Sequence, residues 1–189
     1  NVTVDEAAGP LQFTVSLSNP VDIPVSVAVD YTDGTATAPA DYDATTGAAN
    51  FPANDNTAQT VNVPIVNDAI VEGNETFTAD LNVTTAMGGR TYVDTDSGTG
   101  TISDNDYTLT VAVDPAGGGA ITSNPAGIGC PGDCDEEYNY NVGVTLTPVP
   151  TAGYAFSHWS GALSGVSYPQ TVTMDADKSV TAHFETTED

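Results

Sequence analysis

Apolar residues recur at every second position in run after run of this chain, and that period of two, more than any single motif, limits the folds open to it. They alternate with polar residues at Leu11, Phe13, Val15 and Leu17, at Val25, Val27, Val29 and Tyr31, at Val61, Val63 and Ile65, and at Phe77, Ala79, Leu81 and Val83. Segments of this kind are strands with one buried face. Shorter strands are expected at residues 1–4, 47–51 and 98–103, which makes about seven, separated by turn clusters rich in Gly, Pro, Asn and Asp; this is the pattern of a sandwich. No segment carries a convincing helical period, and the abundance of Thr and Val points the same way.

From Tyr107 a second series begins, at Leu109, Val111 and Val113, then Val142, Val144 and Leu146, then Val172 and Met174, then Val180, Ala182 and Phe184. No linker precedes it. The expectation is therefore an all-β chain of two domains, a seven-stranded β-sandwich over residues 1–106 and a small β-rich domain over residues 107–189. With 189 residues, each half is long enough to bury its own core.

Twenty-six acids stand against two basic residues, a net charge of -24. That excludes direct contact with nucleic acid or an anionic membrane surface and makes cations the natural partners. Charge alone would suit a disordered chain, but the alternating valines supply the apolar surface that disorder lacks. The apolar runs fall far short of a membrane span, so no membrane insertion is expected. Asn1 opens directly on a strand-like run, which reads as an excerpt of a longer protein. The two cysteines lie in Cys130-Pro-Gly-Asp-Cys134, a spacing that suits a local disulfide across a turn and hence an oxidising compartment. A metal or redox pair is the alternative, but the chain holds no second Cys/His cluster and the spacing is not that of thioredoxin-like proteins.

The stretch at residues 65–77 places Asp68, Glu72 and Glu75 between two strand runs. Like charges this close repel unless a cation sits among them, and hard carboxylate oxygens suit calcium or magnesium best. A solvated acidic loop is the plainer reading. The distribution of acids decides between them, because alternate connections of an antiparallel sandwich lie at the same end. One end collects Asp5, Glu6, Asp33, Asp41, Asp43, Asp68, Glu72, Glu75, Asp104 and Asp106, and the other only Asp22, Asp55, Asp94 and Asp96. A solvated surface gives no reason for that segregation; a multivalent cation site does.

Four ordered segments carry a family resemblance: Val4-Asp5-Glu6-Ala7-Ala8-Gly9, Tyr31-Thr32-Asp33-Gly34-Thr35-Ala36 with Asp41-Tyr42, Asn67-Asp68 through Glu72 to Glu75, and Gly100-Thr101-Ile102-Ser103-Asp104-Asn105-Asp106. Together they resemble a Calx-beta domain over residues 1–106. The resemblance implies an immunoglobulin-like sandwich whose acids at one end bind Ca2+, with Glu6, Asp41, Asp68, Glu72, Asp104 and Asp106 at the ligand positions. Asn67 and Asn105 stand where the richest sites carry Asp, which implies fewer ions or weaker binding. Residues 107–184 resemble a divergent internalin-type bacterial repeat through Asn124-Pro125, Gly127-Ile128-Gly129-Cys130, Gly153-Tyr154-Ala155-Phe156, Trp159-Ser160-Gly161 and Val180-Thr181-Ala182-His183-Phe184. That implies a grasp-like, β-rich extracellular module.

Catalytic patterns are weak. His158 and His183 fall into no Ser/His/Asp arrangement that the sequence assembles, and the acids lack the sugar cleft that glycoside hydrolysis needs. Trp159 with Tyr154, Phe156 and Tyr168 suits either a sugar platform or a core, and a lone Trp in a small domain favours the core. The resulting expectation is a non-enzymatic, calcium-binding structural segment of a bacterial surface protein, adhesin or fibre, in which calcium rigidifies the domain joint. Its partners would be calcium ions, neighbouring domains of a longer chain and further copies in a fibre. The rival is an accessory segment of a secreted hydrolase that binds polysaccharide through the second domain.

Overall fold

A computed structural model describes residues 1–187, which contain fifteen strands and, as the only helical piece among the described residues, one 3-10 turn at Glu6–Ala8. The chain divides into two compact units. The first comprises residues 1–67 and 72–104; the second takes Asp68–Val71 together with residues from Asn105 onward.

The first unit holds seven strands, β1 (Val2–Asp5), β2 (Leu11–Val15), β3 (Val25–Asp33), β4 (Gly47–Phe51), β5 (Gln59–Val63), β6 (Glu75–Val83) and β7 (Ser97–Ser103). Five form one sheet in the order β1-β7-β6-β3-β4, and β2 pairs with β5 in a second. β1 runs parallel to β7, β7 antiparallel to β6, and β6 antiparallel to β3, so β1, β3 and β7 finish at the same end of the sheet. The alternation seen in the sequence becomes burial. Leu11, Phe13 and Val15 are buried while Gln12 and Thr14 between them are exposed. The aromatic centre of the core is Phe77, stacked on Tyr42 at 4.2 Å between ring centroids and met edge-on by Phe13 at 6.1 Å. Burial of such side chains is worth about 1.5–3 kcal/mol each. Space for the Phe77 ring exists because β7 carries Gly100 beneath it: a Cβ there would lie 2.6 Å from the ring.

The second unit holds eight strands, β8 (Tyr107–Asp114), β9 (Gly119–Asn124), β10 (Gly129–Cys130), β11 (Asp135–Tyr138), β12 (Gly143–Pro150), β13 (Tyr154–Gly161), β14 (Gln170–Thr173) and β15 (Lys178–Thr186). They form two four-stranded sheets, β10-β9-β12-β14 and β11-β8-β15-β13. Leu109, Ile121, Leu146, Met174 and Ala182, all fully buried, belong to one core that draws on both sheets. Trp159 is 1% exposed at the centre of that core, with its indole N–H donating to the Ser167 carbonyl at 3.0 Å. It is therefore a core residue and offers no sugar platform. Tyr168, 53% exposed and edge-on to Phe156, is the one ring of that group facing solvent. Cys130 and Cys134 are joined in a disulfide across the Pro131-Gly132 turn. Asn139 donates its side-chain amide to the carbonyl of Asp68, within the same unit.

Candidate metal centre

The acids of the first unit divide into those consumed by the fold and those left facing one another. Asp33, at the end of β3, accepts hydrogen bonds from the Tyr42 hydroxyl at 2.7 Å and from the Ala38 N–H at 3.0 Å. These bonds favour the ionised form and hold its carboxyl below the ordinary range. Asp43 caps its own turn by accepting from Thr45 N–H and Oγ1, with the same effect on its carboxyl. Both acids are structural: they secure the long β3–β4 connection, and Tyr42 pins that connection into the core with no exposed surface.

Asp41 precedes this anchor. Its Oδ2 accepts from Thr37 N–H at 2.6 Å, and its carbonyl accepts from Val66 N–H at 2.9 Å, so the β3–β4 and β5–β6 connections are tied together. The tie brings Asp41 to Glu72 and Glu75, and one carboxylate oxygen of each lies within 4.8 Å of the others. At a calcium–oxygen distance of roughly 2.3–2.6 Å, opposite ligands of one ion stand about 4.6–5.2 Å apart, so three oxygens this close fit a single coordination shell. The donor set also fits, since all three are hard anionic oxygens. The cluster is electrostatically uneasy on its own. Burial, then the charge of Asp41 and a hydrogen bond shared with it, then the charge of Glu72, push the Glu75 carboxyl up to about 7.

A second pair comes from the beginning and the end of the first unit's sequence. Glu6, in the 3-10 turn after β1, is 7% exposed and brings an oxygen within 4.8 Å of one from Asp104, which follows β7. Asp104 also accepts from the Glu72 N–H at 2.9 Å, so it secures the loop that carries Glu72. Of the six residues at expected ligand positions, Glu6, Asp41, Glu72 and Asp104 thus belong to the first unit. Asp68 and Asp106 belong to the second: Asp68 accepts from its neighbour Ile70 N–H at 2.8 Å, and Asp106 is 3% exposed beside the start of β8. Glu75 is absent from the expected ligand set, yet stands in the group with Asp41 and Glu72. Its signal was present in the acidic stretch. What the sequence withheld was that the first residue of β6 would point its side chain back at Asp41.

Residues 1–106 match the family model of the Calx-beta domain, and residues 107–188 match that of the divergent InlB B-repeat domain. Among solved structures, the apo form of the Calx CBD1 domain is similar at 27% identity, covering 54% of this chain and 88% of that one with a TM-score of 0.46. The calcium-binding domain CBD12 of CALX1.1 is similar at 17% identity, covering 97% and 71% with a TM-score of 0.49. A bacterial adhesin from Mobiluncus mulieris with intramolecular disulfide, isopeptide and ester cross-links is similar at 9% identity, covering 100% and 97% with a TM-score of 0.35. No curated protein matches the chain.

Proposed function

Because this chain belongs, through residues 1–106, to the Calx-beta family, we propose that its first unit binds calcium at the carboxylate end of the sandwich and serves as a structural segment of a bacterial surface protein. The observation that carries the reading is the convergence of Asp41, Glu72 and Glu75, whose mutual repulsion an ion would convert into cross-linking. Those three form one proposed shell. Glu6 and Asp104 contribute to the same end, while Asp68 and Asp106 enter the ligand set on the family resemblance. When bound, calcium would supply positive charge and accept the carboxylate oxygens into a flexible coordination shell. The residues do the rest: Asp41 holds the β3–β4 connection to the β5–β6 connection, and Asp104 holds the loop of Glu72.

Asp104 is followed in sequence by Asn105, Asp106 and then Tyr107 at the start of β8. Restraining Asp104 restrains the chain where it leaves β7, so the proposal includes stiffening of that connection by calcium. Both matched families are structural or binding domains rather than enzymes. The repeat match and the Cys130–Cys134 disulfide support an extracellular, adhesin or fibre setting.

Isothermal titration with calcium, then small-angle scattering in chelator and in calcium, tests both parts. Heat of binding that disappears in Asp41→Ala and Glu75→Ala supports the site, and a smaller radius of gyration with calcium supports the stiffening. No binding at millimolar calcium would refute the first part, and unchanged dimensions the second.

A further inference from the structure

The chain has two histidines, and the fold of the second unit stacks them on each other. His158 on β13 is paired in register with His183 on β15, and their rings lie 4.3 Å apart with planes 10° from parallel. The register shifts between Phe156 and His158, so a bulge at Ser157 delivers His158 to this position. On the other side of β15, the parallel strand β8 sets Asp114 opposite His183. Neighbouring core residues Val180, Ala182 and Phe184 are buried, while His183 alternates with them toward the outer face.

His183 is held from both ends. Its Nδ1 lies 3.0 Å from Asp114 Oδ2, and its Nε2 lies 2.8 Å from Ser160 Oγ. A carboxylate can only accept, so Nδ1 carries the proton and donates it to Asp114. In the neutral imidazole Nε2 is then an open lone pair, to which the Ser160 hydroxyl donates. Nucleophile, base and orienting carboxylate thus stand in hydrogen-bonding order with the polarity acyl transfer requires. The three come from three adjacent strands, β13, β15 and β8, of one sheet, a rigid support of the kind such constellations need. The neighbouring histidine is occupied differently. Ser157 donates to Glu185 Oε1 at 2.6 Å, which leaves its oxygen to accept from His158 Nδ1 at 3.1 Å, so His158 does not compete for Ser160.

We propose that Ser160 is the nucleophile, and His183 the general base, of an acyl-transfer site on the outer face of the second unit, with Asp114 as the positioning residue. This goes beyond the calcium-binding reading and does not depend on it. Ser160 Oγ attacks the carbonyl carbon of an ester while its proton passes to His183 Nε2. The tetrahedral adduct then expels the alcohol, which takes that proton, and leaves the acyl group on Ser160. Water, deprotonated by the same Nε2, cleaves the acyl-serine to the free acid and returns the hydroxyl. Side chains of Asp114 and Glu185 flank the site in a chain of net charge -24, so the substrate class is a neutral or cationic ester and an anionic one is repelled.

The test uses the full chain with para-nitrophenyl acetate and, as the anionic competitor, the para-nitrophenyl half-ester of succinic acid. Peptide mass mapping after rapid quenching should find one acetyl group on Ser160. Ser160→Ala should remove it and lower nitrophenolate release by about 10²-fold or more. Asp114→Asn should lower the rate comparably at an unchanged melting temperature, and Asp114→Glu should restore part of it, which a merely structural carboxylate would not do. The acetate should react faster than the half-ester. Release that is unchanged in Ser160→Ala, an adduct on His158 instead, or no release above buffer would each overturn the proposal.

Discussion

The two units hold small all-β cores of similar design with opposite kinds of fastening. In the first, the chain ends of β1 and β7 bring Glu6 and Asp104 together and the loop before β6 sets Glu72 and Glu75 against Asp41, where burial and then the neighbouring charges raise the Glu75 carboxyl to about 7. In the second, the irregular stretch after β9 is closed covalently by Cys130–Cys134, and the outer-face histidines are partnered by Asp114, Ser157 and Ser160. The lesson is conditionality. On the proposed reading the first unit's stability follows the calcium in its solvent, while the second carries its constraints within the chain.

The largest effect that separates the two is expected from Trp159→Ala. Removing a fully buried indole and its hydrogen bond to Ser167 should cost about 3–5 kcal/mol and lower only the unfolding transition of the second unit. A matching loss in a transition that responds to chelator would show the units to be one cooperative body and break the comparison.

Calcium should act on the other unit. For a dissociation constant near 10 µM, within the range oxygen sites span, millimolar calcium is ~100 times that constant and stabilises by about 2.7 kcal/mol. Differential scanning calorimetry should show the first unit's melting temperature raised by about 10 °C or more, with no rise in Glu72→Ala. Magnesium should substitute poorly because it demands a tighter octahedral shell.

Replacing both cysteines by serine should weaken the second unit by about 2 kcal/mol, from the entropy of so short a closed loop, and leave the calcium response untouched. Denaturant unfolding with and without reductant measures it.

The smallest effect is a pH slope confined to the first unit. In chelator, folded Glu75 keeps its proton up to about 7, whereas the unfolded chain releases it near the ordinary value of 4.5. The folded state therefore holds more protons between those values, and its stability is full below 4.5 and falls as pH rises through 7. Saturating calcium selects the ionised carboxylate and should abolish the fall between those values. Glu75→Gln should flatten it.

The fold was legible because burial and strand period coincide. Leu11, Phe13 and Val15 alternate in sequence and are buried in the same alternation in β2. The strands around Tyr154 and Gly119 were less legible. β13 mixes Ser, His and Trp around a bulge and β9 is short and rich in small residues, so neither shows a clean period.

The sequence by itself determined that this chain is all-β, that two strand series follow one another, that most acids fall at alternate connections, and that the chain carries the motifs of its family. Each of these is a property of order along the chain, which period, spacing and charge encode directly. Only the tertiary structure decided which acids are spent on the fold and which converge: Asp33 and Asp43 cap turns, whereas Asp41 meets Glu75 across thirty-four residues. Only it could set Ser160 and Asp114 on either side of His183, the latter sixty-nine residues away. The reason is that side-chain chemistry acts over a few ångströms in space, and strand pairing, not sequence separation, determines which residues come within that reach.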